Sequence, residues 1–423
     1  MEVLLVSHYY APWGIGGTED YVRGLARFLA RKGHGVRVFH GMIGRPHREH
    51  EVVRHEVDGI DCTGVEVDLP EIDDFSRTWR QVEVDRIFAR LVDEKRPDLV
   101  HVNHLTRLSL GMLDVLQERK IPVMLTLHDY WMQCARGVRL RPDGYVCQEV
   151  DLARCAECMA GDIDHLDRRK RGFRRLALYL RSGSPARHAQ VIEQRRAEMT
   201  RALEGVDLLV SVGPYLAQAF RDFGIARPIR VEPGGVDPAM ARDYRETKSD
   251  VLRFGFVGRL VPQKGVETLI DAYRGLDREA ELVIHGYGAD DYVRGLKERA
   301  GSAPIRFTGR FEPGDVGRLA SGFDVQVMPS VGLEGSPLLV QTARLFRKAL
   351  IASDAGGLGE NVRDGVDALV FHFGDADALR ACMRRMVDEP GLADRLRAAM
   401  PPARTEEEHY TTVLGLYEGL LAR

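Results

Sequence analysis

One stretch, Asp324 to Glu360, narrows what the chain can fold into. Asp324 to Met328 carries Val at alternate positions and reads as a short buried strand, and Pro329-Ser330 breaks it into a loop that carries Glu334. A helix is predicted next. Ser336 suits its cap, Pro337 fits the first helical position, where no N–H is needed, and Leu338, Leu339, Leu345 and Phe346 fall at near-helical spacing. Ala349 to Ala352 is a second strand, and Gly356-Gly357 closes the unit with a turn that leaves backbone N–H groups bare. Strand, helix, strand is the unit of α/β architecture. Its loop sets a carboxylate beside a helix start, so hydroxyls can be gripped by the one and an anion held by the other. A sugar attached to a phosphate suits that pairing.

The same plan opens the chain. Val3 to Tyr10 is a strand, Ala11 to Gly17 a Gly-rich loop, and Tyr21, Val22, Leu25, Phe28 and Leu29 form a helical stripe that ends at Gly33. Val36 to His40 is the next strand, giving a Rossmann-like beginning. Gly16 and Gly17 read as a tight turn or acceptor loop rather than a dinucleotide site. The second strand runs through Phe39 into Gly41 without the acid that a ribose needs in an NAD protein, which disfavours a nicotinamide oxidoreductase. Leu99 to Asn103 and Val123 to Leu127 are further strands, and the second of these delivers His128 at its carboxyl end, where open α/β sheets bind ligands.

The latter half repeats the pattern with sharper chemistry. Leu252 to Gly258 is a strand, and Arg259 and Lys264 flank the loop before a helix that starts near Gly265. Two cations so placed can meet one diphosphate, the Arg as a fork and the Lys as a point charge. Ala280 to Ile284 runs into His285, and Ile305 to Phe307 leads to Thr308-Gly309-Arg310. Thr405 and Glu408 form a capping box before a final apolar stripe from Tyr410 to Leu421. A chain of 423 residues exceeds what one core supports, so two Rossmann-like domains are expected, over 1–235 and 236–400, with a terminal helix over 401–423. The polar run Ala241 to Asp250 is the linker candidate.

A net charge of −3 gives no reason to expect nucleic acid as an obligatory partner. The first residues, MEVLLVSHYY, read as a strand rather than a signal peptide, and no apolar run approaches the roughly 20 residues of a membrane span. A cytoplasmic enzyme follows as the expectation, with its cysteines reduced or bound to metal. Cys134, Cys147, Cys155 and Cys158, spaced C-x12-C-x7-C-x2-C, suit a structural zinc in an insertion over about 133–190, the alternative being four free thiols. The basic run Arg168 to Arg175 reads as a solvated helix in preference to one touching a membrane, because acidic residues interleave further along.

The pattern P-S-x3-E-x-S-P-L-x-x-Q followed by A-S-D-x-G-G-L-x-E resembles the donor-site signature of glycosyltransferase family 4, retaining enzymes of the GT-B fold. The resemblance covers nearly the whole chain and is strongest from Leu252 to Glu360. It implies a UDP- or GDP-sugar donor and no catalytic metal; the acceptor, set by the N-terminal loops and the Cys-bearing insertion, is expected to be a small metabolite, with a lipid-linked sugar at a membrane surface or a polysaccharide as alternatives. Arg259 and Lys264 would take the diphosphate, with Gly258, Leu338 and Leu339 beside it. Glu334 and His128 would hold the transferred sugar, His285 and Gly309 would line the nucleotide side, and Gly16 and Gly17 would approach the phosphates or the acceptor. The family's second Glu, which binds the ribose, is Thr342 here, and the small G-x-P after the helix is Arg347-Lys348-Ala349. The terminal helix is expected to cross back onto the first domain.

Overall fold

The computed structural model describes the chain except residues 15, 43–47, 68–74, 167–184, 248, 336–337 and 423. Among the described residues fourteen strands fall into two sheets. The first takes β1 (Glu2–Ser7), β2 (Gly35–Met42), β3 (Val52–Val57), β4 (Ile60–Glu66), β5 (Leu99–Val102), β6 (Val123–Leu127), β7 (Leu208–Ser211) and β8 (Ile229–Val231), in the order β3-β4-β2-β1-β5-β6-β7-β8. All its pairings are parallel except β3 with β4. The second takes β9 (Leu252–Val257), β10 (Ala280–His285), β11 (Ile305–Gly309), β12 (Val325–Met328), β13 (Ala349–Ser353) and β14 (Leu369–Phe371), in the order β11-β10-β9-β12-β13-β14 and parallel throughout. Both are open α/β sheets of the Rossmann kind.

Burial on both faces makes the central strands β1, β6, β12 and β13 mostly apolar. Along β1, Leu4 and Val6 enter a core with Phe39, Trp79 and Phe88, while Val3 and Leu5 enter another with Val22, Leu25 and Phe28 of the helix Gly17–Arg31. That second core also takes Tyr410, Val413 and Tyr417 of the last helix, Glu406–Leu421. The helix is fixed there by polar contacts as well: Tyr410 donates to the Tyr21 carbonyl at 3.2 Å, and the Tyr417 hydroxyl lies 2.6 Å from His101 Nδ1. The capping box at its start is present, Thr405 and Glu408 each bonding the other's backbone N–H.

The chain passes between the two sheets in both directions at one place. Val236 N–H donates to the Arg404 carbonyl at 2.9 Å, and Glu406 N–H donates to the Val236 carbonyl at 3.0 Å. Arg404 also reaches the Pro233 carbonyl and the Glu232 carboxylate. The segment read as a linker is packed against the second unit, with Arg245 N–H on Ser321 Oγ at 2.8 Å and Thr247 Oγ1 on the Ser321 carbonyl at 2.6 Å. The basic run Arg168 to Arg175 lies outside the described residues. No described helix is long and apolar enough to cross a membrane.

Candidate functional site

Strand order creates two crevices. In the second sheet it reverses between β9 and β12, so the loops leaving those strands diverge and open a gap at their carboxyl ends. One loop carries Arg259 and Lys264, the other Ser330 and Glu334. They are tied together, since Val331 and Gly332 N–H groups both donate to the Gln263 carbonyl, at 3.0 and 2.9 Å. Gly265 permits this approach: its φ is 63°, and a Cβ there would strike the Pro329 carbonyl oxygen. In consequence Lys264 Nζ reaches Glu334 Oε1 at 2.7 Å, and Ser330 Oγ donates to the same oxygen at 2.6 Å.

Burial alone would raise the Glu334 carboxyl, but the Lys264 ammonium and the two hydrogen bonds outweigh it and hold it below its usual value. The carboxylate is therefore ionised and already neutralised. Arg259 differs. It is exposed, without a hydrogen-bond or ion-pair partner among the described residues, and its charge is felt by Glu19 of the first unit. The two cations thus share the crevice, one clamped and one open.

Several expected positions are placed differently from their reading. The Gly356-Gly357 turn does not leave its N–H groups bare, because Gly357 N–H donates to the Glu334 carbonyl at 2.7 Å and fixes that loop from below. The helix described as Leu338–Leu345 follows, with Leu338 and Leu339 half-buried at its start; the expected cap residues, Ser336 and Pro337, lie outside the described residues. Thr342 is 6% exposed, and its hydroxyl donates back to the Leu338 carbonyl at 3.1 Å, a common fate for Thr inside a helix. His285 is 3% exposed, with Nδ1 on Thr308 Oγ1 at 2.8 Å, and burial pushes the ring down to about 4. It packs toward Phe323 inside the unit. At the backbone, Gly258 N–H donates to the His285 carbonyl at 3.0 Å and Gly286 N–H to the Gly309 carbonyl at 3.1 Å, which joins the ends of β9, β10 and β11.

The first sheet reverses between β1 and β5, so its crevice is bounded by the loops carrying His8 and His104. His128 follows β6 beside it. Its Nε2–H donates to Asn103 Oδ1 at 3.1 Å, its ring meets Tyr21 edge-on at 4.8 Å, and burial holds it neutral with a pKa of about 3. The two units touch here, for a Cβ on Gly335 would lie 2.9 Å from the His128 carbonyl oxygen. Gly16 precedes the helix Gly17–Arg31 without a side-chain cap, and Glu19 folds back over it, 2.8 Å from where a Gly16 Cβ would stand. Gly17 faces open space. Glu19, His8, His104 and Asp129 were not legible as site residues; a first-turn acid and scattered histidines have ordinary structural explanations until topology groups them.

Cys134, Cys147, Cys155 and Cys158 do line one cavity, and none of the six cysteines is in a disulfide. Burial and the nearby thiols push Cys155 up to about 12. Yet no three His, Cys, Asp or Glu side chains among the described residues are grouped to hold a metal, so the zinc expectation is not met. The C-x2-C pair falls inside the helix Leu152–Leu166 and not in a loop knuckle.

Two Rossmann-like units whose crevices open toward each other define the GT-B class. Among solved structures, the chain resembles sucrose-phosphate synthase from Thermosynechococcus elongatus (TM-score 0.68, 19% identity, 100% of this chain and 99% of that one). It is similar too to the Anabaena protein HepE in complex with UDP (TM-score 0.65, 15% identity, 100% of both chains). Residues 15–240 match the profile of Glycosyltransferase Family 4, and residues 252–389 that of Glycosyl transferases group 1. The chain belongs to glycosyltransferase family 4. Among curated relatives, glycogen synthase of Cellvibrio japonicus is 31% identical over 151 residues, 33% of this chain, and the match spans 31% of that protein's length. Glycogen synthase of Mycobacterium tuberculosis is 25% identical over 433 residues, covering 98% of this chain and 92% of that protein.

Proposed function

We propose that the protein is a retaining glycosyltransferase that moves a sugar from a nucleoside-diphosphate sugar, with UDP or GDP as carrier, to a small-molecule acceptor such as a metabolite or natural-product intermediate. The observation that carries this reading is the second crevice, where Arg259 stands open beside the Lys264–Glu334 pair at a sheet's switch point. When the sugar–oxygen bond breaks, charge builds on the diphosphate. Arg259, Lys264 and the N–H groups of Leu338 and Leu339 then bind it better than they bound the intact donor.

Glu334 orients sugar hydroxyls through its second oxygen, Oε1 being taken by Lys264 and Ser330. Neutralised in this way it is a poor nucleophile, which favours transfer on one face, with a departing phosphate oxygen taking the acceptor proton. His128 closes the far edge of the sugar. No step in this scheme needs a metal.

Incubation with UDP-, GDP- and TDP-sugars, followed by nucleotide release, tests the reading; release from none of them overturns it. Thr342 favours a second one. Its hydroxyl proton is spent on Leu338, where the family pattern has a ribose-binding carboxylate, which fits a silent nucleotide-sugar-binding partner. Thermal stabilisation by a nucleoside diphosphate without turnover on any acceptor, together with activity gained by T342E, would select that alternative.

A further inference from the structure

The first crevice is built from a different set of groups. His8 and His104 leave the two strands on either side of the switch point, and their rings lie 4.3 Å apart between centroids, tilted by 44°. His8 Nε2 lies 3.4 Å from Glu19 Oε1, and His104 Nε2 lies 3.1 Å from Asp129 Oδ2. Each imidazole is thus backed by a carboxylate.

Thr106 N–H donates to His104 Nδ1 at 3.1 Å, so the ring hydrogen is on Nε2 and points at Asp129. Burial would raise the Asp129 carboxyl, but His104 and the Trp131 N–H outweigh it and keep it below the usual range. Burial and the neighbouring His104 push His8 down to about 2, which keeps it neutral, and its Nδ1 has no partner among the described residues. Burial raises Glu19. The crevice therefore offers an ionised carboxylate, a second acid, the neutral His8 ring and the His104 ring bonded to Asp129.

Carboxylate oxygens accept from hydroxyls, and His8 Nδ1, unpartnered among the described residues, can bond a hydroxyl too. The carboxylates repel a phosphate. Among the described residues, Arg107 lies over the Tyr9 ring at 5.9 Å, buried Arg195 is held on the Trp131 carbonyl and ring, and Arg259 opposite is taken by the donor under the reading above. His104 and Asp129 also line one small cavity together with His128, so the acceptor groups adjoin the residue at the edge of the transferred sugar.

We propose that His8, Glu19, His104 and Asp129 form the acceptor subsite, and that it takes an unphosphorylated polyol or sugar rather than a sugar phosphate. This rests on the transferase reading, and the test separates the two. The purified chain, with whichever UDP-, GDP- or TDP-sugar it hydrolyses or binds, is offered glucose against glucose 6-phosphate and myo-inositol against inositol phosphate. The neutral member of at least one pair is expected to be used with a kcat/KM about tenfold or more above its phosphate.

D129N should raise the KM for that acceptor by about tenfold while the calorimetric Kd for the nucleoside diphosphate stays within about twofold. E19Q is the companion variant should D129N fold poorly. Donor turnover with preference for the phosphorylated members overturns this proposal and leaves the transferase reading standing. So does an acceptor KM unchanged in both variants. Absence of any donor binding or turnover overturns both.

Discussion

The two crevices sit at equivalent places, each where a parallel sheet reverses its strand order, yet they are furnished with opposite chemistry. That of the second sheet gathers an open guanidinium, an ammonium clamped to a carboxylate, and loops welded through Gln263 and Gly265. That of the first gathers imidazoles and carboxyl groups. Topology places a site, and side-chain charge decides what it takes. Under the proposed function, an anionic leaving group would be drawn to one side and a neutral nucleophile to the other, which would keep two polar substrates from competing for the same pocket.

The difference can be broken most severely at Lys264. K264M should lower kcat/KM by about 100- to 1,000-fold, since it removes a preorganised contact to the developing charge. It also strands Glu334. K264M/E334Q should therefore recover thermal stability relative to K264M without recovering rate, and a double variant that regained rate would assign Lys264 a purely structural role.

Acid sharpens the contrast. His8, His40, His101 and His128 in the first unit are all held below their ordinary pKa by burial, whereas in the second His285 alone among the described histidines is so placed. A group whose folded pKa is lowered binds fewer protons native than unfolded. Its stabilisation is complete above about pH 6.5 and is lost as pH falls toward the native value, by at most about 1.4 kcal/mol per pH unit for each ring. Hydrogen exchange at pH 5 against pH 7.5 should loosen the first unit before the second; equal loosening would contradict this.

The smallest effect is expected at Thr342. Its hydroxyl is bonded within the helix, so T342V should cost less than about 1.5 kcal/mol in stability and change nucleotide affinity by less than about threefold. A larger loss of affinity would place that hydroxyl on the nucleotide and erase part of the distinction between a scaffold residue and a ligand.

Much of this was legible in the chain. Alternating Val before Pro329, the cations spaced about Gly265, and the capping box at Thr405 each act through neighbours within a few residues, and local rules read them. The Lys264–Glu334 contact escaped, because seventy residues separate the pair and only sheet order unites their loops. His8 with Glu19 and His104 with Asp129 escaped for the same reason. The zinc expectation is not supported, since no metal-holding group is found among the described residues, and Cys155 and Cys158 lie inside a helix and not in the loop that their spacing suggested.

The central claim is that Arg259 and its neighbours receive a nucleoside diphosphate. Because Arg259 is exposed and has no partner among the described residues, R259A removes charge without disturbing the fold. Calorimetric titration of the full chain with UDP, GDP and ADP should find at least one that binds, and R259A should weaken that binding by about 10- to 100-fold, the worth of a charge-assisted contact. An unchanged Kd in R259A would contradict the account.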